Sequence, residues 1–131
     1  MPHVIDTNVA VHLRDGDPFV RAQLDHLGDD VLLSIISRVE LEGGVYSDPT
    51  QTAARRARLD EMLTAVPVVP FDLDAAAAYG AMVSAAGYSR RKVLDRMIAA
   101  QAIVLQAPLV TMNGDDFRDV PGLRLVEWRR P

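Results

Sequence analysis

Short apolar runs alternate along the chain with longer stretches in which apolar residues recur every three or four positions. The short runs predict buried strands at residues 4–5, 31–36, 68–71, 109–111 and 123–126. The periodic stretches predict helices over residues 8–13, 19–27, 37 to about 44, 50–66, 72–86 and 93–106. Because strands and helices alternate, we expect an α/β fold with three α/β/α layers around a central parallel sheet of four or five strands.

Local signals mark several element boundaries. Ser37 and Glu40 have the spacing of a capping box, which predicts that a helix opens there with Glu40 in its first turn. Gly28-Asp29-Asp30 is expected to break the second helix, and Asp72 is expected to cap the alanine-rich one. Asn113-Gly114 is a turn signal directly after the fourth strand.

The composition is that of one folded domain, which we expect to span residues 1–131. The chain has no cysteine, which removes disulfides and cysteine zinc sites and fits a reducing cytoplasm. It shows neither a signal-peptide pattern nor an apolar run long enough for a membrane span. We therefore expect a soluble cytoplasmic protein.

The net charge of −4 is unlike that of a simple nucleic-acid-binding module, but the positive charge is clustered. One group, Arg55, Arg56 and Arg58, is interpreted as a solvated helix face. The other, Arg90, Arg91 and Lys92, immediately precedes a helix that begins near the sheet edge discussed next. It is the best candidate for contacting an RNA backbone, although a basic loop at a helix start is an equally good interpretation.

Acidic residues follow the predicted strands at one edge of the sheet. Asp6 ends the first strand, Glu40 follows the second, and Asp115 and Asp116 follow the fourth. Asp95 opens the helix that runs back into the fourth strand, so it starts at the same edge. Chemistry in parallel sheets collects outside the carboxyl ends of the strands. The topology therefore brings distant acids together.

Each acid alone has an ordinary structural explanation, as a helix cap, a partner of the helix dipole or a solvated turn residue. Together they repel one another unless some are protonated or a cation is present. Oxygen ligands without cysteine or a histidine cluster suit Mg²⁺, with Mn²⁺ as a substitute, rather than zinc. Such an ion lowers the pKa of bound water and orients a phosphodiester for attack.

Four segments resemble the acidic motifs of PIN-domain ribonucleases, and most closely those of the VapC toxins of type II toxin–antitoxin pairs. The segments are residues 4–8, 34–41, 95–100 and 111–117, and the closing Val120-Pro121-Gly122-Leu123 followed by Trp128 is also similar. The resemblance covers nearly the whole chain, in order and at matching spacing. It implies a metal-dependent endoribonuclease, a homodimer, and silencing by a cognate VapB-type antitoxin.

The resemblance also assigns roles to individual residues. The catalytic and metal-binding set that it implies is Asp6, Glu40, Asp95 and Asp116. Accessory roles fall to Thr7, Asn113 and Asp115.

The main competing hypothesis is a catalytically silent PIN-like module that binds RNA or a protein. All four acid positions are filled, which favours catalysis over binding alone. A histidine-based ribonuclease is a second alternative, but His3, His12 and His26 have no evident partners in the sequence. A haloacid-dehalogenase phosphatase needs an acid where this chain has Asn8.

Overall fold

The computed structural model describes residues 1–28 and 30–131. The strands are β1 (His3–Ile5), β2 (Val31–Ser34), β3 (Val68–Val69), β4 (Leu109–Thr111) and β5 (Leu125–Glu127). The helices are α1 (Thr7–Arg14), α2 (Pro18–Leu27), α3 (Ile35–Tyr46), α4 (Thr52–Ala65), α5 (Leu73–Ala86) and α6 (Val93–Val104). Short 3-10 turns span Arg90–Lys92 and Gly114–Asp116.

The five strands form one parallel sheet in the order β3-β2-β1-β4-β5. The first strand in the chain is thus the central one, with β2 on one side and β4 on the other. Parallel pairing places the carboxyl ends of all five strands at one edge, which is called the carboxyl edge below. The predicted α/β fold with a parallel sheet is confirmed.

Successive residues of each strand face opposite layers of helices, as the pleat requires. Ile5 and Val110 join a core cluster with residues of α1, α2, α3 and α4. Val4 and Leu109 join a second cluster with residues of α5 and α6. The sheet is therefore covered on both faces, which confirms the predicted three layers. Within the described ranges, no helix is both long and apolar enough to cross a membrane.

Short polar side chains define where several helices begin. Asp6, Asp17 and Asp72 cap α1, α2 and α5 by accepting hydrogen bonds from backbone N–H groups of the first turn. Gly28 ends α2 in the left-handed conformation at φ 69°, which glycine adopts without steric cost. The predicted end of this helix is confirmed at Gly28, while Asp29 lies outside the described residues.

The predicted capping box at Ser37 is wrong. Ser34 caps α3, because its side chain accepts a hydrogen bond from the Ile36 N–H at 3.0 Å. The helix therefore begins at Ile35, and β2 ends two residues earlier than expected. An apolar pair such as Ile35-Ile36 fits the end of a buried strand and the buried first turn of a helix equally well. Glu40 consequently lies in the second turn of α3, not the first.

Other boundaries shift by one or two residues. Asp48 holds Thr50 in a turn through its backbone N–H and its hydroxyl, so α4 begins at Thr52 rather than Thr50. Only Val68 and Val69 belong to β3, since Pro70 has no N–H to continue the ladder.

The arginines of α4 do more than cover a solvated face. Arg55 donates to the Gly44 carbonyl at 2.8 Å, and Arg56 donates to both carboxylate oxygens of Glu42. These contacts tie α4 to α3.

Candidate active site

Asp6 lies at the centre of the carboxyl edge and is almost completely buried, at 4% exposure. Its Oδ1 accepts the Val9 N–H at 2.9 Å, and its Oδ2 accepts the Thr111 hydroxyl at 2.6 Å. Burial raises the pKa of Asp6, although these hydrogen bonds oppose the rise. The nearby Asp116 carboxylate raises it further. Asp6 is thus both the N-cap of α1 and a carboxylate whose charged form is disfavoured by its surroundings.

Glu40 reaches the same edge from α3 and is exposed to solvent. Its Oε1 accepts the Thr7 hydroxyl at 2.7 Å. The Thr7 and Ser37 hydroxyl oxygens are 2.8 Å apart, and Ser37 must donate in this pair because Thr7 gives its one proton to Glu40. The predicted accessory residue Thr7 therefore orients an acid, and Ser37 supports Thr7 instead of capping a helix.

Asp95 occupies the first turn of α6 and is half-buried. Burial raises the pKa of Asp95 to about 6, and the carboxylates of Asp116, Asp6 and Glu40 contribute to the rise. Lys92 opposes it. All four predicted acids are therefore close enough to interact electrostatically at one place on the molecule.

The turn Gly114–Asp116 presents two acids in different ways. Asn113 donates from Nδ2 to Asp116 Oδ2 at 2.9 Å, which orients the Asp116 carboxylate. Asp115 instead forms an ion pair with Arg118, and its side chain is 83% exposed. The predicted accessory residue Asn113 thus contacts a predicted ligand directly.

Thr111 is a site residue that the sequence analysis missed. It is fully buried and, besides donating to Asp6, accepts the Asn113 N–H at 2.9 Å. It therefore links the first acid to the turn that carries the fourth. Its only signal in the sequence is a polar residue at the end of an otherwise apolar strand.

The basic turn Arg90–Lys92 lies immediately before Asp95. Arg90 and Arg91 are exposed, whereas Lys92 donates to Asp119 Oδ2 at 2.8 Å. Asp119 also accepts from the buried Arg96 at 3.1 Å. Positive charge consequently stands beside the acids, as the sequence predicted.

The histidines lie away from the acids. His3 starts β1, at the opposite edge of the sheet from Asp6. His12 is in the last turn of α1 and pairs with Asp17 at 3.3 Å, and His26 is in the last turn of α2. This arrangement gives no support to a histidine-based ribonuclease.

The four acids offer carboxylate oxygens to a divalent cation. In the part of the chain that the structure describes, no three His, Asp or Glu side chains already converge into a metal-binding group. The donor set is nevertheless all oxygen. Burial raises the pKa of Asp95, and repulsion from the neighbouring carboxylates adds to the rise; a cation relieves that repulsion. Mg²⁺ keeps several waters and needs only one or two direct carboxylates. The residues fit such an ion without forming a closed protein cage.

A sequence model of the PIN domain matches residues 3–123, so the chain belongs to the PIN domain family. It is 27% identical to Ribonuclease VapC2 from Rickettsia felis, with 98% of each protein covered. The fold is similar to a crystal structure of VapBC2 from Rickettsia felis bound to a DNA fragment from their promoter. That likeness has a TM-score of 0.85 and 25% identity, and covers 98% of this chain and 99% of that one. FitAcB from Neisseria gonorrhoeae is also similar, at TM-score 0.78 and 27% identity, with 97% of each chain covered.

Proposed function

We propose that this chain is a metal-dependent endoribonuclease and the toxin of a VapBC-type pair. The observation that carries the proposal is the electrostatic coupling of Asp95 to three other carboxylates at one edge of the sheet. A structural role explains each acid separately but gives no reason for placing them together. Membership of the PIN family and similarity to Ribonuclease VapC2 support RNA as the substrate.

Asp6, Glu40, Asp95 and Asp116 would hold Mg²⁺, or Mn²⁺ in its place. A divalent ion there would supply a water of lowered pKa and charge stabilisation at the scissile phosphate. The protein's own contribution is orientation: Thr7 fixes Glu40, Thr111 fixes Asp6, and Asn113 fixes Asp116. Preorganised ligands of this kind lower the cost of reaching the reactive geometry.

The basic turn supplies the complementary charge for the RNA backbone. Arg90 and Arg91 are exposed, whereas Lys92 is held in an ion pair with Asp119. Their contacts would be to phosphates, which give affinity without sequence choice. The acidic centre then receives a phosphodiester that neighbouring cations have already attracted.

The proposed partner is a VapB-type antitoxin that silences the nuclease, and the proposed assembly includes a homodimer. Similarity to a solved VapBC complex supports the partner, and the homodimer rests on the resemblance to VapC toxins alone. Co-expression with a candidate VapB-type protein, followed by co-purification and light scattering, measures the partner and the oligomeric state. Separate elution of the two proteins would contradict the partner assignment.

The deciding experiment is cleavage of a mixed-sequence RNA oligonucleotide and of bulk cellular RNA. Purified, antitoxin-free wild type is incubated with Mg²⁺, Mn²⁺ or EDTA beside Asp95→Asn. We expect metal-dependent cutting by the wild type alone. Binding of RNA that persists in EDTA, with no cutting in either metal, would instead identify a binding module. Full activity of Asp95→Asn would mean that the site is misassigned.

A further inference from the structure

Glu127 is a further acid at the carboxyl edge, and the proposed reaction leaves it without a role. It is the last residue of β5 and pairs in register with Thr111 of β4. Its side chain is 24% exposed and stands beside the turn that carries Asp116. Arg118 and Arg129 both donate to its Oε1, at 2.8 and 3.2 Å. Two guanidinium groups thus compensate its charge, and Glu127 need not add to the repulsion among the other acids.

The other carboxylate oxygen of Glu127 is directed at the backbone of the turn. The Gly114 N–H donates to Glu127 Oε2 at 2.8 Å. A Cβ placed on Gly114 would lie 2.6 Å from that oxygen and 2.8 Å from the carboxyl carbon. Since Gly114 does not have a left-handed φ, a Cβ here meets no backbone strain, but the Glu127 carboxylate would have to move to make room for it. The carboxylate occupies the volume that any other residue would fill.

The turn between Gly114 and Asp116 is otherwise held by contacts within its own segment, which include the Asp115–Arg118 ion pair and the Asn113–Asp116 hydrogen bond. Its own hydrogen bonds are Asp116 N–H to the Asn113 carbonyl at 3.3 Å and Phe117 N–H to the Gly114 carbonyl at 3.0 Å. On the side of β4, the Thr111 hydroxyl accepts the Asn113 N–H. On the side of β5, the Glu127 carboxylate accepts the next N–H along the chain. Consecutive backbone groups are therefore clamped from two neighbouring strands.

We propose that Glu127 is a positioning residue that fixes the turn at Gly114 and thereby the place of Asp116 in the acidic site. The role in cleavage rests on the proposed function, whereas the bracing of the turn does not. Glu127 acts through a backbone hydrogen bond, so its acceptor oxygen matters more than its charge. This distinction separates it from the four acids, which need their charge to hold a cation.

The first test compares Glu127→Ala, Glu127→Gln and Arg129→Ala in the cleavage assay. Glu127→Ala should lower kcat at least about tenfold with little change in KM, because a ligand displaced by about 1 Å costs rate rather than RNA affinity. Glu127→Gln should retain most of the activity, since its amide oxygen still accepts the Gly114 N–H. Arg129→Ala, which removes a 78% exposed ion-pair partner of Glu127, is the matched control and should resemble the wild type.

A second pair of variants tests the same contact from the other side. Gly114→Ala should reproduce the loss seen in Glu127→Ala, because its Cβ displaces the carboxylate. The double variant should be no worse than Gly114→Ala alone, since both changes remove one interaction. Independent additive losses would overturn the proposal, as would Glu127→Gln being as impaired as Glu127→Ala.

Hydrogen exchange supplies a readout that does not depend on cleavage. In metal-free protein, the amides of Asp116 and Phe117 should exchange faster in Glu127→Ala than in wild type or Arg129→Ala. Unchanged exchange at these amides would refute the bracing role even if activity fell. If the wild type cuts no RNA, the proposed function fails while exchange still decides the bracing. If Glu127→Ala does not fold, Glu127→Gln and Gly114→Ala decide it.

Discussion

Replacing Asp95 with asparagine should abolish cleavage while making the metal-free protein more stable. The carboxylate of Asp95 is half-buried and lies near three other acids, and these surroundings raise its pKa from 3.8 to about 6. The amide of asparagine has nearly the same shape but no charge to be repelled. The substitution therefore removes an electrostatic cost that the fold otherwise bears when no cation is bound.

The size of the effect follows from the pKa. A rise from 3.8 to about 6 corresponds to at most about 3 kcal/mol, and partial solvent exposure reduces this to about 2 kcal/mol. Because the folded pKa is above the unfolded one, the cost is absent below about pH 4. It grows as the pH rises to about 6 and is complete above that. At pH 8 the variant should therefore melt roughly 6–10 °C higher than the wild type.

The assay is urea unfolding in EDTA at several pH values, for wild type, Asp95→Asn and the control Asp74→Asn. Asp74 is exposed in the first turn of α5, so its neutralisation removes only a favourable helix-dipole interaction and should cost about 0.5 kcal/mol. Replacing an aspartate by asparagine in the first turn of a helix should therefore raise the free energy of unfolding at Asp95 and lower it at Asp74. If Asp95→Asn were no more stable than wild type at pH 8, burial and the neighbouring acids would not disfavour the Asp95 carboxylate as described.

Three further predictions concern separate parts of the molecule. Thr111→Val should lower the free energy of unfolding by about 2 kcal/mol in urea titrations, because the Asp6 carboxylate and the Asn113 N–H both lose the Thr111 hydroxyl as a partner. Thr111→Ser keeps the hydroxyl, so an equally unstable Thr111→Ser would contradict this cause. Arg91→Ala should weaken RNA binding and make the slope of log K against log salt shallower by about 1, and an unchanged slope would remove Arg91 from the phosphate contacts. Gly28→Ala should destabilise the fold by about 1 kcal/mol, since a residue with a Cβ is strained in the left-handed conformation at φ 69°. Melting curves that coincide with those of the wild type would contradict this prediction.

The sheet was predictable because buried parallel strands read as short apolar runs. Every predicted strand exists, although β5 ends one residue later, at Glu127, and β2 ends at Ser34. The error at Ser37 arose because apolar residues alone do not separate a strand end from a buried first helical turn. Only the backbone conformation of Ser34 decides between them.

The acids were predictable as a group because topology alone sends strand ends to one edge. Their supporting hydrogen bonds were not. The Thr111–Asp6 bond depends on the pairing of β1 with β4, and the Gly114–Glu127 bond on the register of β4 with β5. Register is a property of the assembled sheet, and one sequence gives no direct measure of it.

The central position of β1 has a consequence for how the protein is made. Although β1 is the first strand along the chain, its pairing with β4 requires residues more than one hundred positions later. Folding must therefore close a long loop before the middle of the sheet is complete, which slows it. Until β4 has emerged from the ribosome, Asp6 lacks its Thr111 partner and Asp116 does not yet exist. A nascent chain that carries only β1, β2 and β3 therefore lacks two of the four acids and, on the proposed function, would not cleave the RNA from which it is being translated.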